Sequence, residues 1–308
     1  MPFLSLIVAA ALTADAPAHV PSVDDYAGRW NLRITDADNT FTGGGFKLDK
    51  KDGGLEASVV WRWGSVVPAK ATVEGGVLRL VREEEKGKPE TFTVRLEGDA
   101  LRGDVRYADG KTNRFEGKRA PDLAAPAAPK WGRPVSLFDG KTLDGWRLRD
   151  PKAKMGWAVV NGELAVTDPK GNADLVTEKT FQDLKLHIEF NVEPHSNSGV
   201  YLRGRYEVQI LDDKALATEV HGCGALYSRI APKVDATKAP GEWQAFDITI
   251  VGRTLTVVLN GTTIIDGATV EGITGGAINP FEGEPGPLML QGDHGKVRFR
   301  NVTLTPAL

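Results

Sequence analysis

The sequence predicts an all-β protein: a two-sheet, jelly-roll-like sandwich in the C-terminal part, preceded by a small antiparallel β-barrel or sandwich. Three observations carry this expectation. Short runs of alternating apolar and polar residues, bounded by Gly, Asp or Asn, follow one another along most of the chain, while helical periodicity is nearly absent. A stretch rich in Ala and Pro at 121–133 divides these runs into two sets and suits neither a helix nor a sheet ladder, so it reads as a stiff linker. A chain of 308 residues is also long enough for two hydrophobic cores.

Near the N-terminus an apolar run at 4–12 precedes Ala14-Asp15-Ala16, the small-residue pattern of a cleaved secretory signal, here read as residues 1–16. The run is too short to span a bilayer. It lacks the usual positive flank, since no Lys or Arg precedes Arg29. An exported protein, periplasmic or secreted, is the expectation. The net charge is −3 with both signs intermixed, so no basic stripe calls for nucleic acid. Cys223 is the single cysteine, which leaves no intrachain disulfide and no thiolate cluster for a metal; between Gly222 and Gly224 it reads as a small packing residue.

The small β domain is assigned to residues 20–120, with strands expected at 28–34, 44–48, 55–61, 66–73, 77–82, 91–96 and 100–107. Arg33, Arg62, Arg79 and Arg95 recur among acids such as Glu83 and Glu97, the pattern of a solvated mixed-charge surface. Nothing in this domain suggests chemistry.

The larger domain is assigned to 134–308. Leu184, Leu186, Ile188, Phe190 and Val192 alternate with Lys185, His187, Glu189 and Asn191, a long strand with one buried face. Further strands are expected at 246–251, 255–259, 288–291 and 297–305, and Asn260-Gly261 between two apolar runs is a strong hairpin signal. The central stretch is 197–212. It reads as two strands meeting at a tight turn at Gly204, with Val208 and Ile210 on one face and Glu207 and Gln209 on the other. Arg203, Glu207, Gln209 and Asp212 are equipped to grip hydroxyls and to move a proton. A polar sheet surface with satisfied ion pairs is the plainer alternative, which the pattern alone leaves open.

Sugar recognition needs apolar faces to stack on and paired hydrogen-bonding groups for hydroxyls. Trp146, Trp157, Tyr201, Tyr227 and Trp243 supply the first, although Trp146 and Trp157 read equally well as core. Asn197, Arg203, Glu207, Gln209 and Gln291 supply the second. His294, after Gln291-Gly292-Asp293, falls on a loop at a strand end and suits proton transfer near neutral pH. His195 and His221 also fall on loops, and with His294, Glu207 and Asp212 they are the candidates for a metal site, yet their spacing matches no compact ligand motif. His187 reads as the polar side of its strand.

Other chemistries lack their signatures: there is no Gly-x-Ser-x-Gly elbow, phosphate loop or dinucleotide fingerprint. A conventional glycosidase would use two acids, for which Glu207 with Asp212 or Glu189 are the candidates. The Glu-x-Asp-x-x-Glu run of sandwich-type glucanases is missing.

The run Leu137-Phe138-Asp139-Gly140-Lys141-Thr142-Leu143-Asp144-Gly145-Trp146 opens a series of motifs. It continues through Asn197-Ser198-Gly199 to Asp212, Gly224-Ala225-Leu226-Tyr227, Gly241-Glu242-Trp243, Leu259-Asn260-Gly261, Leu290-Gln291 with His294-Gly295, and Phe299-Arg300-Asn301-Val302. On these motifs the C-terminal part resembles the 3-keto-disaccharide hydrolase domain family. The resemblance implies a concanavalin-like (LamG-like) sandwich that cleaves glycosides already oxidised to a ketone at carbon 3. Such a ketone acidifies the proton on carbon 2, so a base removes it, an enediolate forms and the aglycone leaves from carbon 1; addition of water completes a net hydrolysis.

On that chemistry Glu207 and His294 are the expected proton-transfer pair, Arg203 and Gln209 the oxyanion or hydroxyl holders, and Asn197, Tyr227 and Gln291 the positioning groups. Asp212 and Trp243 join the expected substrate contacts. Stabilisation of the enediolate by a divalent cation is left undecided by the sequence. Two positions depart from the family pattern: Gln244 stands where Asn is usual, and Ser228 where Gly is usual. The alternatives to this enzyme are a non-catalytic carbohydrate-binding sandwich and a conventional glycoside hydrolase.

Overall fold

A computed structural model of the chain describes residues 19–36, 40–83, 88–124 and 129–308. The expected leader at 1–16 lies outside the described residues, as do 125–128 of the expected linker. Among the described residues the protein is all-β, with helix confined to a four-residue segment α1 (Val23–Tyr26) and one short 3-10 turn, Lys214–Leu216.

The first strands are β1 (Gly28–Thr35), β2 (Phe41–Lys51), β3 (Gly54–Val60), β4 (Val67–Glu74), β5 (Val77–Glu83), β6 (Pro89–Glu97), β7 (Ala100–Arg106) and β8 (Thr112–Arg119). Each pairs with the next, and β8 returns to β1, so these eight strands close a barrel that leaves no free sheet edge. The sequence pattern did not single out β8, because Phe115 is its one large apolar residue. Its other buried position is Gly117, where a Cβ would sit 2.9 Å from Leu32 Cδ2 and 3.0 Å from Leu101 Cβ. The barrel is filled by an edge-to-face aromatic cluster in which the Phe92 ring lies 5.6 Å from Phe46 and 5.1 Å from Trp61.

The second part comprises β9 (Val135–Ser136), β10 (Trp146–Leu148), β11 (Trp157–Val160), β12 (Glu163–Val166), β13 (Leu175–Phe181), β14 (Leu184–Val192), β15 (Asn197–Leu202), β16 (Tyr206–Leu211), β17 (Gln244–Val251), β18 (Thr254–Leu259), β19 (Thr262–Thr269), β20 (Gly286–Leu290) and β21 (Val297–Pro306). They form two antiparallel sheets. One has the order β10-β13-β20-β15-β16; the other runs β11-β12-β21-β14-β17-β18-β19, with β9 added beside β21.

The apolar face of β14 packs in the shared core with Val200, Leu202, Val208 and Ile210 from β15 and β16. The expected alternation of β14 is seen from Leu184 to Phe190; at the end of the strand Asn191, expected on the polar side, is buried along with Val192. Asn260 and Gly261 both take positive φ, 51° and 81°, and join β18 to β19 as a tight hairpin.

Barrel and sandwich are joined directly. Val60, the last residue of β3, belongs to the sandwich core, and the loop that follows is pinned at several points. The Gly276 amide donates to the Arg62 carbonyl at 2.7 Å, the Val66 amide donates to Ser228 Oγ at 2.9 Å, and Ser65 Oγ lies 2.9 Å from His221 Nε2. Gly275 passes so close to the Gly64 backbone that a Cβ there would overlap it. Ser228 sits at φ 56°, in the left-handed region that favours glycine, and its hydroxyl holds the barrel loop.

Truncating Phe92, which is fully buried, to Ala is expected to cost about 3–5 kcal/mol of stability, read as a lowered urea midpoint.

Candidate active site

Pairing of β15 with β16 places Tyr201 opposite Glu207 and Gly199 opposite Gln209. The even-numbered residues of both strands face the sandwich core, and these odd-numbered ones face outward beneath loops. Gly199 has a specific reason to be glycine: a Cβ there would collide with the Glu207 carboxyl, which folds across it. The outer edge of β16 is closed by the 224–227 segment, where Gln209 N donates to Ala225 O at 3.0 Å and Tyr227 N donates to Glu207 O at 3.0 Å.

Above this face lies a cavity of about 150 Å³. The hairpin supplies Asn197, Tyr201, Glu207 and Gln209; the segment after β20 supplies Gln291, Asp293 and His294; Asp174 comes from the start of β13, and Tyr227 from the closing segment. Trp63 and Gly64 of the barrel loop complete the wall with Gly275 and Gly276. At about 30 Å³ per water the volume holds roughly five waters, the scale of one sugar ring.

The electrostatics centre on Glu207, which is 4% exposed. Burial pushes its carboxyl up to about 8, and a hydrogen bond with the Tyr201 hydroxyl and the nearby His294 offset this only in part. Burial also raises Asp174, against the pull of Arg149, whose guanidinium donates to it at 3.1 Å. His294 is raised above its usual value, first by its hydrogen bond with Asp293, with burial opposing. Burial tends to raise Asp293 too, but the bond and charge of His294 outweigh it and hold the carboxyl low. The cavity therefore contains a carboxyl that favours its proton and an imidazole that favours its charge.

Three side-chain oxygens on the cavity wall, Asn197 Oδ1, Gln209 Oε1 and Gln291 Oε1, are buried without a hydrogen-bond partner. Each such acceptor costs about 1–3 kcal/mol while unsatisfied. The three side chains line the same cavity, so its polar wall is built largely of amides, groups that both donate and accept hydrogen bonds.

Of the residues expected from the sequence, Asn197, Glu207, Gln209, Tyr227, Gln291 and His294 meet at this cavity. Three lie outside it. Arg203 is fully buried at the hairpin turn, where its guanidinium donates to the Gln182 carbonyl, to Gly252 O at 2.9 Å and to Asp183 at 2.9 Å, so it is not an oxyanion holder of this cavity. Asp212 accepts the His195 amide at 3.0 Å and fixes a turn. Trp243 lies under Arg300, 3.9 Å from the ring centroid, beside the other sheet.

Trp146 and Trp157 are core residues whose indoles donate to Leu137 O and Ala173 O. The three loop histidines do not converge, since His221 bonds Ser65 and His195 lies by Asp212. Among the described residues no group of three or more His, Cys, Asp or Glu side chains is placed to hold a metal ion. Glu189 is tied to Arg300 at 2.7 Å on β14, so neither acid pair considered for a conventional glycosidase is assembled. Gln244 accepts the Lys238 amide at 2.9 Å, a structural role. Trp63, Asp174 and Asp293 were not foreseen; Asp293, adjacent to His294, carried the one signal that was readable.

Because the folded chain retains the Glu207 proton up to about 8 while an unfolded Glu releases it near 4.5, folding binds a proton between these values, and stability falls as pH rises through that window. Glu207→Gln removes this loss. Its stability relative to the parent is expected to climb with pH, by about 1.4 kcal/mol per unit at most, in denaturant titrations from about pH 5 to pH 8.

The family model described as the 3-keto-alpha-glucoside-1,2-lyase-like domain matches residues 133–305. No curated protein matches the chain. Among solved structures, a candidate glycosyl hydrolase from Parabacteroides distasonis is 28% identical over 60% of this chain and 93% of its own, with a TM-score of 0.49. A second from the same organism is 24% identical over 57% of this chain and 100% of its own, with a TM-score of 0.45. The family match spans more than half of the chain, from before β9 into β21, and contains every cavity residue except those of the barrel loop: the chain belongs to the 3-keto-alpha-glucoside-1,2-lyase-like domain family.

Proposed function

We propose that the protein is a lyase that breaks the glycosidic bond of 3-keto-glucosides by elimination across carbons 1 and 2. The observation that carries this reading is Glu207: a buried carboxyl with its pKa raised to about 8, lining a one-ring cavity together with His294 and the amides Asn197, Gln209 and Gln291. Membership of the family supports the substrate class.

In the reaction the Glu207 carboxylate takes the proton from carbon 2, which the ketone at carbon 3 has made acidic, and the electron pair passes into the enediolate. That pair then forms the double bond between carbons 1 and 2 as the bond from carbon 1 to the glycosidic oxygen breaks. The leaving oxygen takes a proton from the His294 imidazolium, which Asp293 holds in its charged form. Solvent exchange returns the proton from Glu207 and reprotonates His294. Addition of water to the double bond would give the hydrolysis product.

Gln209, Gln291 and Asn197 orient the ring by accepting its hydroxyls, and their amide nitrogens take the donor role assigned from the sequence to Arg203. A raised carboxyl pKa suits the task, because a base is most effective when its pKa lies near the working pH. Export to the periplasm or the medium is part of the same proposal, supported by the leader-like run at 4–12.

Turnover of methyl 3-keto-α-glucoside, followed by release of methanol, is expected to fall about a hundredfold or more in Glu207→Gln and in His294→Ala. The rate should follow a bell in pH. The reaction needs the Glu207 carboxylate and the charged His294 together, and the two apparent values of the bell belong to the coupled pair. Binding without cleavage would leave a carbohydrate-binding sandwich, and cleavage of the unoxidised glucoside at an equal rate would make it a conventional hydrolase.

A further inference from the structure

A second depression of about 710 Å³ adjoins the one-ring cavity at the seam between barrel and sandwich. The two share Trp63, Asp174 and Asp293 in their walls, so Trp63 stands on the boundary. The Trp63 indole is 60% exposed, and the loop that carries it is pinned. The Arg149 guanidinium lies 5.1 Å from its ring centroid while donating to Asp174 at 3.1 Å and to Gly276 O at 2.8 Å. On either side, Arg62 O and Ser65 Oγ are bonded to the sandwich. Beyond Trp63 the groove presents Arg147, Asp150 and Lys152, donors and acceptors suited to hydroxyls.

Building on the lyase reading above, we propose that this groove is the leaving-group subsite and that its occupant is a second pyranose ring stacked on Trp63. The inner cavity has room for one ring, so whatever is attached at carbon 1 must lie outside it. The groove shares a wall with that cavity at Asp293, next to the His294 that protonates the leaving oxygen. An exposed indole bordered by charged hydrogen-bonding groups matches the apolar face and hydroxyl rim of a sugar. The platform comes from the barrel, outside the matched residues 133–305, and Ser228 is one of the anchors that hold its loop. Preference for the leaving group is thus a property that the barrel adds to the sandwich.

The test compares kcat/KM for a 3-keto-disaccharide with that for methyl 3-keto-α-glucoside in the full chain. In Trp63→Ala the ratio of the two is expected to fall about tenfold, chiefly through KM for the disaccharide, and Trp63→Phe should restore most of it. An unchanged ratio in Trp63→Ala overturns the subsite, whatever happens to the absolute rates. If the parent chain cleaves neither sugar, the lyase reading fails separately. The subsite is then measured by calorimetric titration of the same two sugars: a preference for the disaccharide that Trp63→Ala abolishes supports it, and a parent with no preference overturns it.

Discussion

The constraint on which the site depends is that one carboxyl, Glu207, must be kept out of water and still be reachable by a ligand. Burial of a carboxylate is costly, and the protein meets the cost by letting the group keep its proton to about 8. What makes the burial feasible is local. Glycine at 199 lets the side chain lie flat across the neighbouring strand, the Tyr201 hydroxyl stands beside it, and the Thr274 hydroxyl accepts the Glu207 amide at 3.0 Å. The same register that points Val208 and Ile210 into the core points Glu207 and Gln209 at the cavity, so sheet packing and site geometry are fixed together.

The lid over that carboxyl comes from a different part of the chain. The loop after β3 is secured to the sandwich by backbone and hydroxyl contacts, and it brings Trp63 and Gly64 over the cavity. Close backbone approach is possible there because Gly64 and Gly275 meet without side chains. Barrel and sandwich share the wall of one cavity, and Val60 in the sandwich core and Trp61 in the barrel core lead directly into the loop that reaches it.

Arg203 shows how a residue of suitable chemistry ends up elsewhere. It sits in the turn beside Gly204 with a φ of 54°, and its side chain leaves the hairpin for the 182–183 and 252 segments instead of the cavity. There the guanidinium satisfies two backbone carbonyls and Asp183, locking the turn against the 182–183 and 252 segments. It thereby contributes to the rigidity of the hairpin that carries Glu207.

Period-two alternation, turn glycines and the Asn260-Gly261 pair were enough to read the all-β character, β14 and the 197–212 hairpin from the amino-acid sequence, because these are local rules of the backbone. They also gave the faces of β16, and with them Glu207 and Gln209. β8 escaped because a glycine fills one of its inward positions. Which loops would fold over which strand is a different kind of information. The roles of Trp63 and Asp174, the loss of Arg203, Asp212 and Trp243 from the cavity, and the raised pKa of Glu207 all depend on contacts between segments far apart in the chain. Burial is a property of the assembled neighbours, and no pattern within a single strand encodes it.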